Sequence, residues 1–357
     1  MKTIAYLVYG SRREYQLELT YSVLSAIHFI GRQPSNYRVV LITDQGNERP
    51  DLPIEHLTFS RQEFNSWTRS GTYMHKAKVH ALMKAMDHFK GSVALIDTDT
   101  YFLDHPDRLF QRIGPGKSVM HASEGNLRQY EFWNPLLERV TAPIAGYDVT
   151  GESKMINSGV VGVDFADRHL LDEVVPLIDS LYDIHPIFNI EQFAFAAVLS
   201  EHTQVSVCPD VVYHYWGCER GFLHSQIEHL FPTFSSELFY RYVDAIPRLG
   251  YPKKQRSDQF KAMIVGLLRH HGNEYRFAYI AYLSALTLST SDPPNASVWA
   301  GIALTMLEKN SFPAKHVVRD FAKMKNALDF SWLASKTRQD WIRYWERIAR
   351  PGKLADQ

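Results

Sequence analysis

The chain has 357 residues, 45% of them hydrophobic, with 39 Lys and Arg against 39 Asp and Glu. That length gives one large domain or two with a substantial core, and no apolar run approaches the ~20 residues of a membrane span. The two cysteines, Cys208 and Cys218, exclude a disulfide framework and a Cys-based zinc site and favour a reducing, cytoplasmic setting. Charge is unevenly spread: residues 251 to 357 carry 17 Lys and Arg against 9 Asp and Glu, a balance of +8, so the first 250 carry −8.

The opening residues, Met1 to Gly10, read as a first β-strand and not as a signal peptide, because the apolar run is short and no small-residue cleavage site follows. Glu14 to Ile30 has helical periodicity, with Leu17, Leu19, Val23, Leu24 and Ile27 apolar. Strands are expected over Tyr37 to Thr43 and Ile54 to Phe59, then a helix from Tyr73 to Phe89 and a strand from Val93 to Ile96. Ser118 to His121 and Ile156 to Val163 read as strands, Arg168 to Tyr182 and Ile190 to Leu199 as helices, and Gln204 to Tyr215 as one extended segment. This alternation is that of an α/β domain, placed at residues 1–225. Helical patterns fill 226–357: Ser236 to Ile246, Asp258 to His270, Ala278 to Leu288, Ser297 to Lys309, Ala314 to Met324 and Thr337 to Ile348, with breaks at Gly272-Asn273 and Ser291 to Asn295.

Four constellations carry chemistry. The strand Val93 to Ile96 runs into Asp97-Thr-Asp99, whose carboxylates alternate to the same side and repel one another unless a cation or proton lies between them. Parallel strands bind ligands at their carboxyl ends, which raises Asp-x-Asp above ordinary turn chemistry. In Met155-Ile-Asn-Ser-Gly-Val160 a small polar corner interrupts an apolar strand, either a bulge or a place where backbone meets ligand. Asn189-Ile-Glu-Gln192 opens a helix, with Asn189 the expected N-cap. Finally, Val211 to Tyr215 ends in His214, with Gly217 and Arg220 beyond; imidazole suits first-row metals and guanidinium suits phosphate oxygens.

In order and spacing these four motifs resemble the retaining nucleotide-sugar glycosyltransferases of the GT-A fold, family 8 and its relatives, over about the first 225 residues. The resemblance implies a Rossmann-like, mixed and mostly parallel sheet flanked by helices. It implies that Asp97, Asp99 and His214 hold Mn²⁺ or Mg²⁺, that Asn157 and Glu191 face the donor sugar, and that Gln192 lies beside the anomeric carbon. Val8, Tyr9, Gly10, Ser11 and Asp44 are implied for the base and ribose, and Thr98, Ser158, Gly159, Gly217 and Arg220 for the rest of the donor, Arg220 standing where the family usually has Lys. Glu191 replaces the family's Asp. The family's basic residue on the preceding helix corresponds to Lys76 or Lys78.

The implied activity is metal-dependent transfer of a sugar from a nucleotide-diphosphate donor, UDP favoured, to a glycan, lipid-linked or protein acceptor, with retention. An inverting enzyme with Glu191 or Asp210 as base is the variant. The alternatives are a non-catalytic GT-A scaffold and, more distantly, a haloacid-dehalogenase-like phosphatase, which Tyr101 and a missing second Asp pair disfavour. The basic region has no recognised nucleic-acid motif, so no such partner is expected. The helix Thr337 to Arg350 sets Trp341, Ile342, Trp345 and Ile348 against four arginines. It suits either a membrane interface or a docked terminal helix, in a region left for acceptor, oligomer or membrane contacts.

Overall fold

The computed structural model describes residues 1–31, 36–215, 220, 223–224, 227, 235–246, 260–261, 263–265, 273–310, 312–329 and 331–348. The expected helix Asp258 to His270 and Gly217 therefore lie largely or wholly outside the described residues. The chain divides into two compact units, one of Met1–Tyr215 with Thr233–Ile246 and one of Trp216–Pro232 with Pro247–Gln357.

The first unit is built on a seven-stranded sheet in the order β10-β6-β9-β4-β1-β2-β3. Its strands are β1 (Lys2–Val8), β2 (Tyr37–Asp44), β3 (Glu55–Phe59), β4 (Ser92–Ile96), β6 (Lys117–Met120), β9 (Val160–Val163) and β10 (Gln204–Val207). All neighbours are parallel except β9, which runs antiparallel to both β4 and β6. Central strands of a sheet covered on both faces must be apolar throughout, and β4 and β9 are buried at almost every position. Helices α1 (Arg13–Ile30), α3 (Ala77–Phe89), α6 (Leu171–Ile184) and α7 (Ile190–His202) flank this sheet, as the α/β reading expects.

Two short ribbons decorate the sheet, and both are corrections to the sequence reading. Gln204 to Tyr215 is not one extended segment: β10 joins the sheet, the chain turns at Pro209-Asp210, and β11 (Val212–His214) pairs antiparallel with β5 (Thr100–Phe102). Likewise Ile156 to Val163 is not one strand, because Asn157-Ser-Gly159 separates β8 (Lys154–Ile156), which pairs with β7 (Ser123–Asn126), from β9 in the main sheet. Helix Phe239–Ala245 packs on α1 and so belongs to the sheet unit, although it follows residue 225.

The second unit is helical, with helices Asn273–Leu288, Pro293–Lys309, Ala314–Asp320 and Ser335–Ile348 among the described residues. The expected break at Ser291 to Asn295 becomes a helix start: Asp292 accepts from the Asn295 N–H as N-cap and Pro293 and Pro294 fill the first turn. Of the two readings of the last helix, packing supports the docked one. Trp341 and Trp345 are buried in this unit's core, and their indole N–H groups donate to the carbonyls of Ala300 and Met324, at 3.0 and 2.8 Å. A periodic aromatic face is equally suited to lipid or to neighbouring helices, and here the helices occupy it. No helix among the described residues is long and apolar enough to cross a membrane.

Candidate active site at the carboxyl edge of the sheet

Sheet direction gathers the site. Strands β1, β2 and β4 end at Val8, Asp44 and Ile96, so Tyr9, Gly10, Asp44 and Asp97 meet one edge. Reversed β9 begins at that same edge, bringing the Asn157-Ser-Gly159 corner beside Asp97, whose N–H donates to the Gly159 carbonyl at 2.9 Å. The β5–β11 ribbon then fixes His214 by register: it lies opposite Thr100, and the Tyr215 N–H donates to the Asp99 carbonyl at 3.0 Å.

Asp97, Asp99 and His214 offer ligand atoms that all lie within 4.8 Å of one another. His214 Nε2 is 3.2 Å from Asp99 Oδ1, and its Nδ1 lies 3.1 Å from Asn157 Oδ1. Asn157 Oδ1 already accepts the Gly159 N–H at 2.8 Å while its amide Nδ2 donates to Glu124 Oε1 at 2.8 Å, so His214 donates through Nδ1. Nε2 is then the ring nitrogen turned to the carboxylates, and its lone pair is the one through which a neutral imidazole would ligate a metal. Two hard oxygens and one imidazole nitrogen fit Mn²⁺ or Mg²⁺.

Gly159 is required by space: a Cβ there would stand 2.4 Å from His214 Nδ1 and 2.9 Å from Asn157 Oδ1. His121 backs the cluster with its ring 5.3 Å from that of His214. Burial, then the proximity of His214, lowers its pKa to about 4, so it is a neutral spacer, its Nε2 donating to the Val212 carbonyl at 3.0 Å.

The two lysines separate cleanly. Lys78 reaches into the site, with Nζ 2.7 Å from Asp97 Oδ2, 3.3 Å from Ser158 Oγ and 3.4 Å from Glu191 Oε1. Burial disfavours its charge, yet Asp97 and Glu191, with Asp99 behind them, outweigh burial and hold its pKa above the usual lysine range. Lys76 is instead bound to both oxygens of Asp179, at 2.8 and 2.7 Å. Two residues apart on a turn, the pair faces different ways.

Glu191 and Gln192 are buried polar groups at the start of α7, and each is bonded. Ser158 Oγ donates to Glu191 Oε1 at 2.6 Å, and Gln192 accepts the Ser158 N–H at 3.4 Å. Asn189 does not cap α7 through its side chain; its Oδ1 accepts from Trp133 Nε1 at 3.1 Å. Tyr73 takes over, its hydroxyl accepting the Glu191 N–H at 2.9 Å and donating to the Phe188 carbonyl at 3.0 Å. Asp210 lies outside this cluster, its carboxylate held by Arg112 at 2.6 and 2.8 Å and Arg108 at 3.0 Å.

Sequence reading missed Glu124. Its two oxygens accept from Asn157 Nδ2, at 2.8 Å, and from Gln192 Nε2, at 2.7 Å, so one carboxylate orients both amides. It sits in Ser123-Glu-Gly-Asn126, a polar stretch with turn chemistry whose only signal was an acid between buried segments.

Elsewhere along the edge, Gly10 N–H donates to Asp44 Oδ1 at 3.1 Å, Val8 is buried in β1 and Ser11 is exposed, while between the two aspartates Thr98 Oγ1 donates to Glu18 Oε2 at 3.2 Å. Tyr9 stands half-buried against Phe64, ring centroids 4.7 Å apart. Arg220 belongs to the second unit.

No family model matches the sequence, and no curated protein does. Among solved structures the chain is similar to mouse xyloside xylosyltransferase 1 in its apo form, at 13% identity and a TM-score of 0.38 over 58% of this chain and 85% of that one. It is also similar to galactosyltransferase LgtC in complex with donor and acceptor sugar analogs, at 12% identity and a TM-score of 0.44 over 71% of this chain and 99% of that one.

Proposed function

We propose that the protein is a metal-dependent glycosyltransferase of the GT-A type that moves a sugar from a nucleotide-diphosphate donor, UDP favoured, to an acceptor with retention. The observation that carries this reading is the meeting of Asp97, Asp99 and His214 within 4.8 Å at the carboxyl edge of the sheet, with Lys78, Glu191 and Gln192 against them.

Bound by Asp97, Asp99 and His214, Mn²⁺ or Mg²⁺ would supply Lewis-acid stabilisation to the leaving diphosphate. The chain's own groups do the rest. Lys78 compensates the carboxylates, its Nζ being shared between Asp97 and Glu191. Glu191 is a fixed negative charge in a dry setting, suited to a sugar carbon that turns cationic as its glycosidic bond stretches. Asn157 and Gln192 present amides whose orientation Glu124 dictates, so they meet a developing charge without reorganising. Tyr9, Gly10 and Asp44, at the ends of β1 and β2, are the groups for base and ribose.

Calorimetric titration of UDP and of GDP tests the reading. UDP should bind with Mn²⁺, lose its binding in EDTA, and fail to bind the Asp99→Asn variant. Equal binding of UDP by Asp99→Asn in chelator would refute the metal role.

A further inference from the structure

Next to this polar site two phenylalanines stand in water. Phe188 is 64% exposed and Phe132 41% exposed, with ring centroids 5.3 Å apart and planes inclined by 41°. Tyr130 extends the patch, its ring 5.5 Å from that of Phe132. Leaving such rings wet forgoes apolar burial, and contiguous exposed apolar surface marks an interaction site.

The rings are tied to the site at three points. Tyr130 Oη donates to the Glu124 carbonyl at 2.7 Å, Trp133, next to Phe132, donates to Asn189 at 3.1 Å, and Tyr73 Oη donates to the Phe188 carbonyl at 3.0 Å. Those anchors are the two segments that carry Glu124 and the Glu191-Gln192 pair. Phe188 lies only three residues before Glu191. The patch is therefore continuous with the site and held in fixed register to it.

We infer that Phe132 and Phe188, with Tyr130, form a stacking platform for a sugar ring of the acceptor, so that the acceptor is a saccharide. This rests on the glycosyltransferase reading of the same site. The face of an aromatic ring is electronegative, and one face of a pyranose presents C–H groups of the opposite polarity, so stacking adds electrostatic fit to apolar burial. The sugar hydroxyls stay at the rim in water, which avoids the cost of burying them unpaired. A second copy of the chain is a weaker occupant: two rings this exposed offer on the order of 200 Å² of free surface, against about 800 Å² per partner in a stable interface.

The experiment uses the full chain, fluorescently labelled, on an immobilised library of oligosaccharides with UDP and Mn²⁺ present. Phe132→Ala/Phe188→Ala and the conservative Phe188→Tyr are run beside it, and UDP affinity is measured separately for each. Wild type should retain at least one glycan class. The double alanine variant should weaken that binding about tenfold or more, through loss of two aromatic faces, with UDP affinity unchanged, and Phe188→Tyr should keep it. Both alanines replace exposed rings, so the fold is expected to survive, and far-UV circular dichroism checks it. Equal glycan binding by the double variant, or no glycan bound by a wild type that binds UDP and Mn²⁺, overturns the platform. So does a self-associated wild type that the double variant makes monomeric, because the patch is then an interface between copies. Loss of UDP binding in wild type alone defeats the transferase reading and not the platform, which the glycan arms still judge.

Discussion

The two units are held together by different means. In the sheet unit, the apolar core lies between sheet and helices, and a knot of buried charge sits at the sheet edge, where Lys78 is shared by Asp97 and Glu191. In the helical unit, the core is rich in aromatic rings, with Trp299, Trp341 and Phe321 fully enclosed, and ion pairs such as Arg347 with Glu308 and Arg343 with Asp340 lie at the surface. A fold needs only the second kind of interior. The first costs desolvation, and that cost is understandable where the charges have a ligand to meet.

Breaking one member of the buried charge knot should have the largest effect. Lys78→Met leaves Asp97 and Glu191 facing each other and should lower stability by about 3–5 kcal/mol, as removal of one partner from a buried pair does. Urea unfolding measures the loss, and added Mn²⁺ should recover part of it in the variant. Trp341→Ala attacks the other kind of interior and should cost a similar ~3–5 kcal/mol through lost packing and a cavity. That loss should be indifferent to Mn²⁺, which separates the two regions in one denaturation series.

A third test concerns His80, which stacks on Trp67 with centroids 5.8 Å apart. Burial, then the Lys76 ammonium, lowers its pKa to about 4. The unfolded chain takes up a proton near pH 6.5 where the folded chain does not. Stability is thus complete above that pH and should fall as pH drops from 6.5 towards 4, by up to about 3 kcal/mol. His80→Phe should remove this contribution in unfolding experiments run across that window, leaving the part that His121, lowered to about 4 in the same way, adds.

The smallest expected change in free energy is the most local. Gly159→Ala must displace His214 or Asn157 and should weaken Mn²⁺-dependent UDP binding by about ten- to a hundred-fold, as lost support behind a ligand does. Thermal unfolding should move little. Unchanged UDP affinity would show that the His214 ring is free to shift.

The strands and helices of the sheet unit were legible because buried parallel strands are unmistakable apolar runs, and Asp97, Asp99, Asn157, Glu191, Gln192 and His214 stood at their ends. The structure brings those residues together. What the sequence hid were groups whose position depends on partners distant in the chain. Choosing Lys78 over Lys76 needed the Asp179 carboxylate to be in place. Glu124 lay in a strand of four polar residues with no periodicity to reveal it. Tyr73, not Asn189, completes the start of α7, because a cap supplied across 118 positions leaves no local trace. The face of Ser335–Ile348 was visible as apolar, and its occupant was not.

The three candidate metal ligands have a consequence for how the chain folds. Both aspartates follow β4, whereas the imidazole arrives on β11, more than a hundred residues later. A chain growing from its N-terminus therefore has its paired carboxylates long before it has the third ligand. Lys78, on α3 and therefore made before them, is the cation available to that half-built edge, and in the finished fold it pairs with Asp97. Contacts closed over such separations form late and slowly. Capture of a divalent ion by the proposed site would then report that β11 has joined β5, and a nascent chain stalled before residue 214 should lack it.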